Sequence, residues 1–297
     1  MSGKKLWIIA GAAMGAVIVG GGASLLLLSA KAPAPAHTYH DPAELTIEVV
    51  PYLDQAHLVA VWAPMVSYLS EQTGRPVHLQ IAGSFESLPT DLAKNHASLA
   101  YGSDISYIVA HDSAGYLPLA ADSLPIAGTI IVRQDSPLRD GADASALRGK
   151  RIAIPSQSAS PYLFARGWAL THGGLHLDTD TQVQTLNGLD AVTRAVLSGS
   201  ADAGVTFRPY FNALPLATRN QLRVLIETEH YPAPPIMVDP NLAPALTAKL
   251  RHALLSVDTA GRRAPALLSL NWQGTLSEGD AEFNGVRALA VRLGIPY

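Results

Sequence analysis

"GKRIAIPSQSASPYLFARGWALTHGG", residues 149–174, decides the fold. Ile152, Ala153 and Ile154 make a short apolar run of strand length. From Pro161 the apolar residues recur at helical spacing, and Gly173-Gly174 is a stop signal. A strand that hands over directly to a helix is half of a β-α-β unit. At the junction lie Ser156, Ser158 and Ser160. These hydroxyls have two readings. One of them caps the helix ahead of Pro161, a favoured first-turn residue. Alternatively they hold a ligand, because a helix start offers free N–H groups and the positive end of the dipole, and a hydroxyl can donate as well as accept.

The same alternation extends in both directions. Upstream, "LTIEVV" (45–50), "VHLQIA" (77–82), "SLAYG" (98–102) and "YLPLAA" (116–121) read as strands. Between them, "HLVAVWAPMVSYLSEQTG" (57–74), "SLPTDLAKNHA" (87–97, with Ser87 as N-cap) and "ISYIVAHDSA" (105–114) read as helices. Downstream, "VQTL" (183–186), "ADAGVTF" (201–207) and "RVLIETE" (223–229) are strands, and "GLDAVTRAVLSG" (188–199) is a helix. The tail (241–258, 263–270, 281–294) is helical. The order implies mainly parallel α/β sheets. The pattern restarts after "IAGTIIVRQ" (126–134). Two lobes are therefore expected, 45–125 plus 232–297 and 126–231, joined by two crossovers. Ligands usually sit in the cleft between such lobes, and the lobes can close by a hinge.

The amino end carries a different signal. "LWIIAGAAMGAVIVGGGASLLLLSA" (6–30) has no charged residue and follows Lys4-Lys5. At ~1.5 Å per residue it can cross ~30 Å of hydrocarbon, with residue 1 in the cytoplasm. Residues 1–30 are read as a membrane anchor, with a cleaved signal segment ending near "APA" (34–36) as the alternative. Residues 31–44, "KAPAPAHTYHDPAE", read as a stiff solvated linker bearing His37 and His40. Everything after Lys31 is then expected outside the cytoplasm, tethered to the membrane or released if the segment is cleaved.

Composition narrows function. The 297 residues contain no cysteine, which excludes disulfides and thiol chemistry. A net charge of -3 without a basic block argues against nucleic-acid binding. No G-x-S-x-G, H-E-x-x-H or G-x-G-x-x-G motif is present. His172 and His176 flank a Gly-Gly pair that gives a metal no rigid face. No enzyme activity, metal or cofactor is expected.

Five segments in order resemble the periplasmic phosphate/phosphite/phosphonate-binding proteins of ABC transporters: "VWAPMVSYLSEQTGRPVHL", "IAGTIIVRQDSPL", "SALRGKRIAIPSQSASP", "VLSGSADAGV" and "FNGVRALAVRLG". The resemblance implies a two-lobed solute-binding fold, a small oxyanion or related solute in the cleft, and a membrane permease and ATPase as partners. It implies that the family's oxyanion-binding Ser-Thr-Ser-Gly falls on Ser158-Ala159-Ser160-Pro161. It also implies four departures, with Phe85 and Ile126 in place of tyrosines, Leu189 in place of a histidine and Phe207 near the place of an aspartate. Tyr52 and Tyr101, at strand ends, join the candidate ligand-binding set of Ser156, Ser158, Ser160, Phe85, Leu189 and Phe207. Arg208, after the 201–207 strand, is a candidate cation. The alternative reading is a membrane-anchored sensor or accessory subunit whose pocket has diverged.

Overall fold

A computed structural model describes residues 38–296 apart from residue 142 and residues 257–263. The expected anchor, residues 6–30, lies outside the described residues. Among the described residues, no helix is long and apolar enough to cross a membrane.

The first half runs β1 (Leu45–Val49), α1 (Gln55–Thr73), β2 (Val77–Ile81), α2 (Leu88–Asn95), β3 (Leu99–Tyr101), α3 (Asp104–Ala114) and β4 (Leu117–Asp122). Local chemistry sets the ends of α1. Asp54 accepts a hydrogen bond from the His57 N–H, and Gly74 takes the left-handed conformation after the last turn. Its inner stripe is Leu58, Trp62, Met65 and Leu69, all fully buried. The chain then crosses over to β5 (Ile126–Arg133), β6 (Arg151–Ile154), α4 (Ser160–Gly173), α5 (Leu177–Asp180), β7 (Gln182–Thr185), α6 (Gly188–Ser198), β8 (Ala203–Phe207), α7 (Arg208–Ala213), α8 (Leu216–Arg219) and β9 (Leu222–Tyr231). It crosses back to β10 (Ile236–Val238), α9 (Pro244–Leu255), α10 (Ala264–Leu268), β11 (Thr275–Leu276) and α11 (Asn284–Arg292).

Two sheets result. The first has the order β11-β4-β10-β3-β1-β2 and the second β7-β6-β8-β5-β9. Both are mixed rather than mainly parallel. β1, β2 and β3 pair in parallel, but β10 returns from the second sheet and inserts antiparallel between β3 and β4. In the second sheet β6, β7 and β8 are parallel, while β5 runs against both of its neighbours, β8 and β9. A strand arriving from the other sheet comes without a preceding crossover helix, so nothing obliges it to lie parallel.

Strand alternation divides each sheet between two apolar layers. Leu45, Ile47 and Val49 of β1 pack with α1 and α9. On the other face, α2, α3 and α11 enclose Val50 and Ala100. In β5, Ile130 and Val132 face α4, and Ile131 faces α6. β5 also lies very close to α4. A Cβ on Gly128 would stand 2.5 Å from the Pro161 carbonyl oxygen, so only glycine fits there.

Three local expectations change. α4 begins at Ser160 with Ala159 in the capping position and no side-chain cap, so neither Ser158 nor Ser160 caps it. Ser87 does not cap α2, because its hydroxyl accepts from the Ser84 N–H at 3.1 Å instead. His40 is not a free linker residue. Its Nε2 lies 2.8 Å from the buried Asp239 carboxylate, and its backbone bridges to Leu242.

Candidate functional site

In open α/β sheets, ligands sit beyond the carboxyl ends of the parallel strands, where the strand order reverses. Here that rule selects two places: the ends of β1 and β3 in the first sheet, and of β6 and β8 in the second. A cavity of about 90 Å³ is bounded by residues from both. Val50 and Tyr52 follow β1, Tyr101 ends β3 and Gly102 follows it, while Pro155 follows β6 and Phe207 ends β8. Ala233 and Pro234, from the second crossover, also line it.

Of the residues singled out in the sequence, Tyr52, Phe85, Tyr101, Ser160, Leu189 and Phe207 line this cavity, as does Ile126. Ser156 and Ser158 do not. The Ser156 hydroxyl donates to Glu86 Oε1 at 2.5 Å, and its Oγ accepts from the Ser158 N–H at 2.9 Å. Burial tends to raise the Glu86 carboxyl. Hydrogen bonds from Ser156, its own amide, Ser84 and Ser158 outweigh this and hold it below the usual glutamate range. Thus the serine loop beyond β6 holds a carboxylate of the chain itself, delivered by the loop between β2 and α2. Ser160 is also engaged, its Oγ accepting from the Asp104 N–H at 3.0 Å. Arg208 lies outside the cavity, in an ion pair with Glu227 whose N–O distances are 2.6 and 2.5 Å.

Several wall residues had no signal in the sequence. Asp122 ends β4, and Asn271 and Trp272 lie in an irregular stretch before β11. Trp272 has neither strand nor helix periodicity around it, so its place follows only from the packing of the tail. The rings of Tyr52 and Tyr101 meet at 65° and those of Tyr101 and Trp272 at 52°, each pair with centroids 6.1 Å apart. Behind them the buried Trp62 donates from Nε1 to the Tyr52 hydroxyl at 3.0 Å. Burial raises the Asp122 carboxyl although Oδ1 accepts from the Gln273 and Leu124 amides. Asp104 lies behind the wall, fully buried, and neither carboxylate oxygen has a partner among the described residues. Burial pushes its carboxyl to about 7.

The two sheets also touch beside the cavity. The Leu189 N–H donates to the Tyr52 carbonyl at 2.9 Å. Asp190 Oδ2 accepts from the Asp54 N–H at 3.2 Å and lies 3.4 Å from His57 Nδ1. Asp54, His57 and Asp190 thus bring ligand-type atoms within 4.8 Å of one another at the surface, where hydrogen bonds account for their grouping.

A mixed α/β chain of two sheets with a cavity at the facing strand ends is the periplasmic binding protein class. Residues 47–282 match the family described as "ABC transporter, phosphonate, periplasmic substrate-binding protein". The chain belongs to this family, whose members are solute-binding components of ABC transporters and not enzymes. Solved structures agree in fold. A binding protein component of an ABC phosphonate transporter from Pseudomonas aeruginosa superposes with a TM-score of 0.76 at 16% identity, covering 86% of this chain and 87% of its own. PhnD1 from Prochlorococcus marinus in complex with methylphosphonate gives 0.77 at 15%, covering 86% and 99%. The alkanesulfonate-binding protein SsuA from Xanthomonas axonopodis pv. citri bound to MOPS gives 0.63 at 20%, covering 87% and 96%.

Proposed function

We propose that the chain is the extracytoplasmic solute-binding component of an ABC-type transporter. It clamps a small solute between lobes 45–125 plus 232–297 and 126–231. Residues 1–30 tether it to the periplasmic face of the inner membrane, or are removed as a signal segment. A permease and an ATPase receive the solute. The observation that carries this reading is the cavity at the carboxyl ends of strands from both sheets. Tyr52, Phe85, Tyr101, Ser160, Leu189 and Phe207 are its proposed ligand contacts.

A thermal-shift screen of oxyanions, amines and small neutral amphiphiles tests it, since a solute that binds only the folded protein raises the melting temperature. At a hundred times its dissociation constant such a solute stabilises by ~2.7 kcal/mol. Small-angle scattering with the same solute should show a smaller radius of gyration, and an unchanged radius with solute bound points to a rigid accessory module. If no class of solute shifts the melting temperature, the transport reading fails.

The second reading, a membrane-anchored sensor or accessory subunit, is favoured by one observation. Glu86 from the first lobe already holds the Ser156 hydroxyl of the second. Under that reading the contact between lobes stands without any solute, and a blank screen is its expected result.

A further inference from the structure

The cavity that the transport reading identifies has charge of one sign only. Asp122 is the one carboxylate, and no Lys, Arg or His lines the wall among the described residues. Arg208, which with His230 lines the adjoining pocket, is paired with Glu227. The serine loop is occupied by Glu86. An anion entering here meets a largely apolar wall, one like charge and no cationic side chain, which leaves it only the helix starts on the wall, such as those at Ser103 and Ser160, and burying a charge without a charged partner is costly.

The same wall suits the opposite charge. Tyr52, Tyr101 and Trp272 border the cavity, and neither the Tyr52–Tyr101 pair nor the Tyr101–Trp272 pair stacks flat. They meet in one edge-to-face and one tilted contact. Phe85 and Phe207 complete the aromatic lining. Aromatic rings attract a cation through their negative faces, most strongly where water is excluded. Asp122, on the wall itself, supplies the matching charge. Asp104 sits one layer behind, its amide bonded to the cavity-lining Ser160.

We propose that the cleft selects a small solute with a positively charged head, an amine or quaternary ammonium group, held by the rings of Tyr52, Tyr101 and Trp272 and balanced by Asp122. This rests on the transport reading, whose solute it specifies.

The test compares three probes on the purified full chain, by calorimetry and by tryptophan fluorescence: choline, its uncharged carbon isostere 3,3-dimethylbutan-1-ol, and methylphosphonate. Choline and the isostere have nearly the same shape, so their difference reads the charge. Choline should bind at least about tenfold more tightly than the isostere, a gap of ~1.4 kcal/mol. Methylphosphonate should bind more weakly than either. Asp122→Asn removes the charge and keeps an Oδ1 to accept from the Gln273 and Leu124 amides. It should weaken choline about tenfold and leave the isostere unchanged. If that variant does not fold, Trp272→Leu serves instead, and it should lower the preference for choline over the isostere. Equal or tighter binding of the isostere, tighter binding of methylphosphonate, or no binding of choline overturns the proposal. In each case a positive result for another solute in the thermal-shift screen leaves the transport reading standing, and a blank screen removes both.

Discussion

Asp104 shows how one residue is set against its surroundings. A carboxyl at the first turn of a helix is ordinarily favoured by the helix dipole. Here tertiary packing removes all solvent, and the carboxyl rises to about 7. Glu278 is likewise pushed up to about 7 by burial, with the Glu282 charge adding to it. The sign of the stability effect follows from linkage. Between the unfolded value near 4 and the folded value near 7, the folded chain holds more protons than the unfolded one, so stability falls as pH rises through that window. Above it the full cost of the buried charge remains. Asp104→Asn should therefore stabilise the protein at pH 8 and change little at pH 4. Urea midpoints at pH 4, 6 and 8 measure this, and a variant that is less stable at pH 8 than at pH 4 relative to the parent contradicts it. The sequence marked Ser156, Ser158 and Ser160 because hydroxyls at a strand-to-helix junction are unusual in number. It gave no sign of Glu86 or Asp104 as their partners, because those lie 70 and 56 positions away.

Among the elements, the start of α6 brings the two lobes into contact. Gly188 has φ +82, and a Cβ there would stand 3.1 Å from the Leu53 carbonyl carbon and 3.2 Å from the Tyr52 oxygen. These are backbone atoms of the first lobe, so they cannot swing aside as a side chain would. The next residue, Leu189, makes the hydrogen bond to Tyr52 and lines the cavity. Gly188→Ala should lower stability by roughly 1–3 kcal/mol through overpacking and a left-handed backbone. It should also part the lobes and raise the radius of gyration in small-angle scattering. Gly199→Ala is the control. Its φ of +74 brings the same backbone strain, but its Cβ would meet only the end of the Arg133 side chain at 3.7 Å. It should lose stability without expanding. Equal radii for the two variants would show that Gly188 does not govern the approach of the lobes.

For the whole molecule, the tail joins what the crossovers connect. α11 contributes Val286, Leu289 and Ala290 to an apolar layer that also holds Ile105 and Ile108 of α3 and Leu163 and Phe164 of α4. The close contact of Gly167 with Leu289, where a Cβ would stand 2.6 Å from a leucine methyl, fixes that helix against the second lobe. A further expectation concerns where the molecule works. Applied to Lys4-Lys5 before the uncharged 6–30 span, the positive-inside rule predicts that everything after residue 31 lies outside the cytoplasm. A carboxyl-terminal reporter that functions only outside the cytoplasm should be active, and the product should stay with membranes through a salt wash. Recovery of a soluble form beginning near His37 would show cleavage and overturn the anchor, though not the exported location.

The sequence by itself determined the order of the longer elements, the restart at residues 126–134 and the rings and small residues at the strand ends. These depend on local periodicity and on turn residues, which act within a few positions. It did not determine the direction of β10, the seat of Trp272 or the partners of the serines. Those depend on which distant segments meet when two sheets and a tail pack together. The charge of the cavity belongs to this second group. Arg208 and Glu227 are 19 residues apart, and only their ion pair withdraws the cation and leaves Asp122 as the one charged group on the wall.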